Sequence, residues 1–492
     1  MGTINTAFGI MTQALDADQA ALNVVANNVA NANTTGYTEE TPDWQENAPI
    51  SINGVSYGTG VTETGATSQR DRILEERLDQ QQQLASASST RLSALNSIQA
   101  LFTPDSGSSS SSTAGDIGSD LTSFFDSFSS LEANPTDNSL REEVLSSAST
   151  LASDISSTAA SLNAQRTALD QEAGGTASQI NALTASIAKL NQQIQSASPD
   201  GDAGTLEDQR QQDLSQLSQL IGINQVTTEN NGLSITTTSG QLLVSEGQSF
   251  QLTTGTVSGV TDFFLGGADV TSQLTSGGGE LGGYLTARDQ DIPSVLGSLD
   301  QLAYDISTSV NTQNNAGTDL DGATGAAVAG STTGAWTLDI FSPPPTLAAN
   351  EASGGTVVAG AAAAMSVVMT DPSQIAAAGA TEGTGDNSNA VTMAALAGQA
   401  FVSGQTPSNY YSNFVSTLGS TVSQVETENT AQNASVSQLQ TQNDALSSVN
   451  LNDEASAMTT LERSYQAASQ VFTMLNTIMD SALNLGVETA VS

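Results

Sequence analysis

Cysteine and histidine are both absent from this chain of 492 residues, and lysine occurs once, at Lys189. The first absence removes disulfides and thiolate chemistry; the second removes His-based triads and most zinc sites. Ten Lys and Arg stand against 51 Asp and Glu, for a formal charge of −41. The acids are 51 of 492 residues, about a tenth, so the imbalance comes from missing bases rather than from excess acid. Nucleic-acid binding through phosphate contacts is all but excluded, because counterion release needs clustered Lys and Arg. The same sign disfavours anionic membrane surfaces. An acidic or otherwise unusual exterior suits such a chain better than a carboxylate-heavy halophile surface.

Aromatic residues are also scarce, at 4%, and hydrophobic residues reach only 37%, below the usual ~45–50%. Ser, Thr, Gln, Asn, Ala and Gly fill the gap. The chain is long enough for two or three domains at ~150 residues each. Thin cores of Leu, Val, Ile and Ala in elongated domains are expected. No basic n-region opens the sequence, since the first Arg is Arg70, and no apolar run suits a signal peptide or a membrane span. Export, if it occurs, is expected by a route that reads no cleaved signal.

What is present is helical periodicity at both ends. Ile4, Phe8, Met11, Leu15, Asp18, Leu22, Val25, Val29 and Ala32 alternate spacings of four and three, with only Asp18 breaking the apolar seam. Met458, Leu461, Tyr465, Ala468, Phe472, Leu475, Met479 and Ala482 repeat the pattern, widened by Val471, Ile478 and Leu485. A sustained 3.5-residue repeat is a coiled-coil signal. Each helix is expected to run about 30 residues, or ~45 Å. Asn23, Asn27 and Asn31 fall opposite the first seam, where a solvated helix would show i,i+4 charge pairs. An outer face of amides and Ala suits a helix covered on both sides once many copies pack. The plainer alternative is burial in a monomer core.

Between the ends, helices are expected over Arg70–Phe102, Leu121–Leu131, Ser139–Ala173, Ala177–Gln195 and Leu206–Leu220, with a low-complexity loop at Ser106–Gly115. Leu418, Val422, Val425, Val436, Leu439 and Leu446 keep heptad spacing around Asn429, Gln432 and Asn443, which predicts a soft, polar coiled-coil arm. Turn signals and alternation over Asn224–Thr253 place β-hairpins near 224–285. The fold class is mainly α (α+β): long terminal heptad helices packed as a coiled coil, a second helical layer with β-hairpins, and a small Gly/Ala-rich insertion. In domain terms, 1–44 pairs with 450–492, a middle domain spans 45–317 and 386–449, and 318–385 is a short, small or loosely ordered insertion.

Candidate chemistry is thin. Ser186-Ile-Ala-Lys189 matches Ser-x-x-Lys, but the partner Lys-Thr-Gly motif is impossible with one lysine. Asp319-Leu-Asp321-Gly322 resembles the start of a calcium loop, yet position twelve is Gly330, so a turn is the better reading. Asn33-Thr34-Thr35 is formally a sequon that a helix-ending corner explains more cheaply. Glu75/Glu76 and Glu142/Glu143 lie near Arg70, Arg72, Arg77 and Arg141, where solvated ion pairing is the default. No enzyme, cofactor or metal site is expected.

The corner that ends the first helix carries a resemblance. "ALNVVANNVANANTTGYT" (Ala21–Thr38) resembles the N-terminal signature of the bacterial flagellar rod, hook and hook-associated axial proteins, through Asn27, Asn28, Val29, Ala30, Asn31, Thr34, Gly36 and Tyr37. "VNLNDEASAMTTLERSYQAASQVFTMLNTIMDSALNL" (Val449–Leu485) resembles the partner helix of that family. Middle stretches such as "ANPTDNSLREEVL" (Ala133–Leu145) and "GGYLTARDQDIPSVLGSLDQLAYDISTSVN" (Gly282–Asn311) are similar to its FlgK-type hook-associated members. Thr318–Asp371 departs from the pattern, being short where that family often carries a β-rich outer domain.

The resemblance implies a structural subunit of the flagellum at the hook–filament junction, exported by the type III apparatus without a cleaved signal. It implies a ring of roughly eleven copies, with the hook protein, a second hook–filament junction protein and an export chaperone at the C-terminal region as partners. Another axial protein, a distal rod or hook subunit, would share the termini but lack the middle motifs. Assembly contacts are expected at Phe8, Met11, Leu15, Leu22, Val25, Asn27, Asn28, Val29, Asn31, Gly36 and Tyr37. On the partner helix they are expected at Leu461, Tyr465, Ala468, Phe472, Leu475 and Met479. With so little to bury in isolation, the two ends are expected to fold only on docking.

Overall fold

The computed structural model describes residues 2–52, 54–103, 116–197, 203–228, 231–257, 259–327, 336–344 and 359–488; the loop expected at Ser106–Gly115 lies outside them. In chain order, α1 (Gly2–Asn31) is followed by β1 (Glu40–Glu46), β2 (Ile50–Ile52), β3 (Val55–Tyr57) and β4 (Val61–Ser68). Next come α2 (Arg72–Ala100), α3 (Ile117–Ala133), α4 (Asn138–Ala197) and α5 (Thr205–Leu220). Strands β5 (Ile223–Thr227), β6 (Leu233–Thr237), β7 (Leu242–Ser245) and β8 (Gln248–Ser249) form one antiparallel meander. Strands β9 (Leu252–Val257), β10 (Val260–Leu265) and β11 (Ala268–Asp269) form another. The chain closes with α6 (Thr271–Thr275), α7 (Gly279–Thr286), α8 (Ile292–Asn315), α9 (Ala361–Ala364), α10 (Ser388–Ala395), α11 (Pro407–Ser447) and α12 (Leu451–Glu488). The mainly helical class with small antiparallel sheets is the one the hydrophobic periods predict.

Helix α4 organises the body. Its 60 residues span ~90 Å at 1.5 Å per residue. The sequence divides this stretch into two helices at Gly174-Gly175, where the structure has one continuous helix. Two glycines weaken a helix by roughly 1 kcal/mol each. The buried stripe Ala173, Thr176, Ala177 and Ile180 runs straight past them, so packing holds the helix together. The first half of α4 (Val144–Leu162) shares a core with α3, α8, α10, the end of α2 and the start of α11, around Phe124, Phe128 and Phe341. The second half (Ala173–Ala188) shares another with α5, α7 and the inward residues Ile223, Ile235, Val244, Leu252 and Phe263 of both meanders. Gly283 allows α7 to lie close on α2, since a Cβ there would stand 2.6 Å from the Ala87 carbonyl.

Several expectations change. Residues 271–286, inside the predicted hairpin region, form α6 and α7 instead. The described parts of 318–385 are packed rather than loose: Leu338, Ile340, Phe341, Met365 and Ile375 are buried in the first core, and the Asn311 and Asn314 side chains bond to their backbone. Arg141 is buried rather than solvated, and so is Glu75. The polar seam of α11 packs antiparallel on α2, where Asn429 Nδ2 donates to Ser88 Oγ at 3.0 Å.

The terminal helices form an arm. Phe8 packs against Phe472 at 4.3 Å between ring centroids, and Asn28 meets Glu454, so α1 and α12 run antiparallel. On another side α1 carries the β1–β4 ribbon, where the Asn47 side chain donates to Gln13 at 3.0 Å. Between these two covers lie Ala17, Ala21 and Val25, the buried apolar residues among those described in α1. The chain therefore pairs its two ends by itself.

Candidate assembly interface

Helix α1 ends in a corner built by short polar side chains. Thr34 N–H donates to the Asn31 carbonyl at 2.8 Å and Tyr37 N–H to the Thr34 carbonyl at 3.2 Å. Gly36 has φ +80°, a conformation costly for any residue with a Cβ. The turn brings Tyr37 back onto α1, where its hydroxyl donates to Asn28 Oδ1 at 2.8 Å. Asn28 is 1% exposed, and every bonding position of its amide is used. Oδ1 also accepts from Glu40 N–H at 3.0 Å; Nδ2 donates to the Glu40 carbonyl and to Glu454 Oε1, each at 2.8 Å. One amide thus ties together α1, the corner, β1 and α12. Burial, then the carboxylates Glu40, Asp208, Glu454 and Glu39, push the Tyr37 hydroxyl up, so it stays a donor. Burial raises Glu454 as well, and the Asn28 bond offsets part of that.

The same corner joins arm to body. Thr38 N–H donates to Asp208 Oδ2 at 3.2 Å, and Glu39 N–H to the Ser447 carbonyl at 2.9 Å. Asp208 is ion-paired to Arg70; Arg72 holds Glu207 at 2.9 Å. Glu75, Asp79 and Arg210 are buried beside them. Asp79 accepts from Gln211 at 3.1 Å and Gln225 at 2.8 Å.

The expected contact residues divide among these features. Asn28 and Tyr37 form the clasp, with Asn27 donating to the Tyr37 hydroxyl at 3.3 Å and Asn31 donating to the Asn27 carbonyl at 3.0 Å. Phe8, Met11, Leu15 and Leu22 are half-buried, as are Leu461, Ala468, Phe472, Leu475 and Met479, while Val25 is buried. Val29 is 39% exposed and Tyr465 likewise 39%. A straight α-helix drifts ~20° per heptad from a 3.5 repeat, which carries Val29 off the seam. Asn23, Asn27 and Gly36 face solvent. Asp18, the seam breaker, is half-buried with Oδ2 unpartnered among the described residues.

A second stripe on α12 has no cover among the described residues: Val471, Met474 and Ile478 are 40, 58 and 52% exposed. The ribbon likewise shows Trp44, Val55 and Tyr57 to solvent. Sequence reasoning missed the ribbon and the partners Glu454 and Asp208, whose local sequence carries no signal of a contact hundreds of residues away. Elsewhere, Ser186 and Lys189 lie exposed on α4, and the Asp319 carboxylate closes a turn on Asp321 and Ala323 N–H; Gly330 is outside the described residues. No helix among the described residues is long and apolar enough to cross a membrane.

Two ends are clasped into one arm, and two cores are strung along a single long helix. The model of the flagellar hook-associated protein FlgK helical domain matches residues 107–328, and that of the flagella basal body rod protein matches 10–38. Flagellar hook-associated protein 1 of Salmonella typhimurium is 27% identical over 96% of this chain and 98% of its own. Its counterpart in Bacillus subtilis is 26% identical over 98% of each. The solved flagellar hook junction protein FlgK from Burkholderia pseudomallei shares the fold, with a TM-score of 0.60 and 20% identity over 74% of this chain and 99% of that one. The chain is thus similar to flagellar hook-associated proteins of the FlgK type over nearly its whole length.

Proposed function

We propose that this chain is a structural subunit of the bacterial flagellum that joins hook to filament by packing its terminal arms in a helical tube. The observation that carries this is the clasp: Asn28 and Tyr37, at the end of α1, bind Glu454 at the start of α12 and β1 together. Both chain ends thereby form one arm that still presents an uncovered apolar stripe. The match to the hook-associated helical domain favours this reading over a rod or hook subunit, whose shared signature accounts for 10–38 alone. On this reading the subunit is exported through the type III apparatus without a cleaved signal and lies outside the cell. It forms a ring of roughly eleven copies between the hook protein and a second junction protein, and a chaperone grips its C-terminal region before export.

The test is electron microscopy of a strain lacking the gene, with the medium blotted for filament protein. Finished hooks without filaments, and filament subunits shed into the medium, are expected. Basal bodies without hooks would move the protein down the axis, and intact filaments would overturn the assignment.

A further inference from the structure

We propose that the body is jointed at the waist between its two cores, which tilt against each other as blocks while α4 gives at Gly174-Gly175 and the α7–α8 path gives at the turn joining them. The joint belongs to the fold of the single chain and goes beyond the assembly reading above.

The waist is a level of the body that holds no apolar core. Along α4 the buried stripe of the first core ends at Leu162, and that of the second begins at Ala173. Over residues 163–172, ~15 Å of helix, no side chain is buried. Along α2 none is buried over residues 89–93. Apolar packing is what holds elements in one arrangement, and polar bonds take its place here. Arg288 Nη1 donates to Asp170 Oδ1 at 2.5 Å and its Nε to Asp289 Oδ1 at 2.8 Å. Thr261 Oγ1 donates to Asp170 Oδ2 at 2.7 Å, and Arg91 pairs with Asp291 at 2.9 Å. Asp170, Asp289 and Arg91 are partly open to solvent, where an ion pair resists deformation weakly.

Two helical paths that cross the waist carry a break at that level. Residues 279–315 run from α7 into α8 through a π-helical turn at Ala287–Asp291. Pro293 follows directly and has no N–H for the next helical bond. A π turn and a proline are both established causes of helix bending. On α4, Gly174-Gly175 lies one turn beyond Asp170, where the packing of the second core is only beginning. Neither glycine makes room for a neighbour, because a Cβ on either would meet no atom within 4 Å. What the pair contributes is a helix that bends easily. Helices α2 and α11 cross the waist unbroken and packed on each other, and α7 lies between α2 and α4. The α2–α11 pair is therefore the leaf about which the cores tilt.

The arm is fastened to the second core, through the Thr38–Asp208 bond at the start of α5. Tilting at the waist swings the first core relative to the arm, with Leu338, Ile340 and Phe341 carried along in it.

Because the chain has no cysteine, pairs of nitroxide labels can be placed in the full chain and their separation read by pulsed electron paramagnetic resonance. Ser123→Cys with Thr254→Cys spans the waist. Ser123→Cys with Ser146→Cys stays in the first block and Thr254→Cys with Ser186→Cys in the second, and all four positions are exposed. The spanning pair is expected to give a distance distribution about twice as wide as either control, or wider. Adding Gly174→Ala and Gly175→Ala is expected to return it to the control width and to raise the melting temperature, since Ala favours helix and clashes with nothing there. A spanning distribution as narrow as the controls would overturn the joint. One that stays wide with both alanines in place, in a chain that melts as high or higher, would overturn its placement at the glycines. Asp291→Asn, which loosens the grip of Arg91, is expected to widen the distribution further, and an unchanged width counts against that ion pair as a latch.

Discussion

Arg141 has no exposed surface, and its guanidinium is held by backbone carbonyls: Pro135 at 2.6 and 2.9 Å, Ser373 at 3.3 Å, and Ile375. A cation so placed fastens the segment after Pro372 onto the start of α4. Arg288 works similarly between Asp170, Asp289 and the Thr261 carbonyl, and Arg91 grips Asp291 with two bonds of 2.9 Å. With Arg70, Arg72 and Arg210, six of the ten basic side chains are committed to internal bonds. The bases missing from the composition are therefore missing mainly from the surface, which is left acidic. Arg141→Met strands several buried carbonyls and is expected to cost about 3 kcal/mol or more. Denaturant unfolding of this variant should show the loss, whereas Arg77→Met, at an exposed position with no ion pair among the described residues, should change stability by less than ~0.5 kcal/mol. Equal effects in the two would show that the buried bonds contribute little.

Among the elements, the joint between arm and body is the most charged. From α2 and the residues just before it the joint gathers Arg70, Arg72, Glu75, Glu76 and Asp79; from the start of α5, Glu207, Asp208 and Arg210; and from the arm the Thr38 N–H, with Glu39, Glu40 and Asp208 all acting on Tyr37. Burial pushes Glu75 up to about 7, against a partial pull from Arg70. Burial also pushes Asp79 up to about 6, against its bonds from Gln225 and Gln211. Both folded values lie above the ordinary values of 4.5 and 3.8. Their stabilisation is therefore complete only below those ordinary values, and is lost as pH rises through 6 and 7. The body should accordingly melt higher at pH 5 than at pH 8, and Glu75→Gln with Asp79→Asn should flatten that dependence. A melting temperature that rises steadily from pH 5 to 8 in the natural chain would contradict the assignment. Nothing in "RILEERLD" announces this cluster; its carboxylates look solvated until α5 is folded over them.

For the whole molecule, the clasped arm changes the meaning of the seam residues. Phe8 and Phe472 touch within one copy, so the seam first makes the arm and only then can the arm offer its outer faces. Leu22→Asp or Phe472→Asp should open the arm, abolish motility and speed proteolysis of α1 and α12, while both body cores remain folded. Placing an unpaired carboxylate in such a half-buried seam costs on the order of 1–3 kcal/mol, a large share for two helices that share so little buried surface. Normal swimming with either variant would mean that the seam is dispensable.

Local pattern was enough for the sequence to determine the mainly helical class, the two terminal heptad helices, the corner at Thr34–Tyr37 and the polar seam of α11. Each of these rests on spacing within a few turns of chain, and the corner residues also carry the resemblance to flagellar axial proteins. Only the tertiary structure decided that α4 runs unbroken through two glycines, that the arm closes within one chain, and that Asn28 finds its partner 426 residues away. Spacing along a chain sets which face a side chain occupies. What that face meets is set by packing between distant segments, and there burial overrides propensity and turns an ordinary Asn, Arg or Glu into a structural joint.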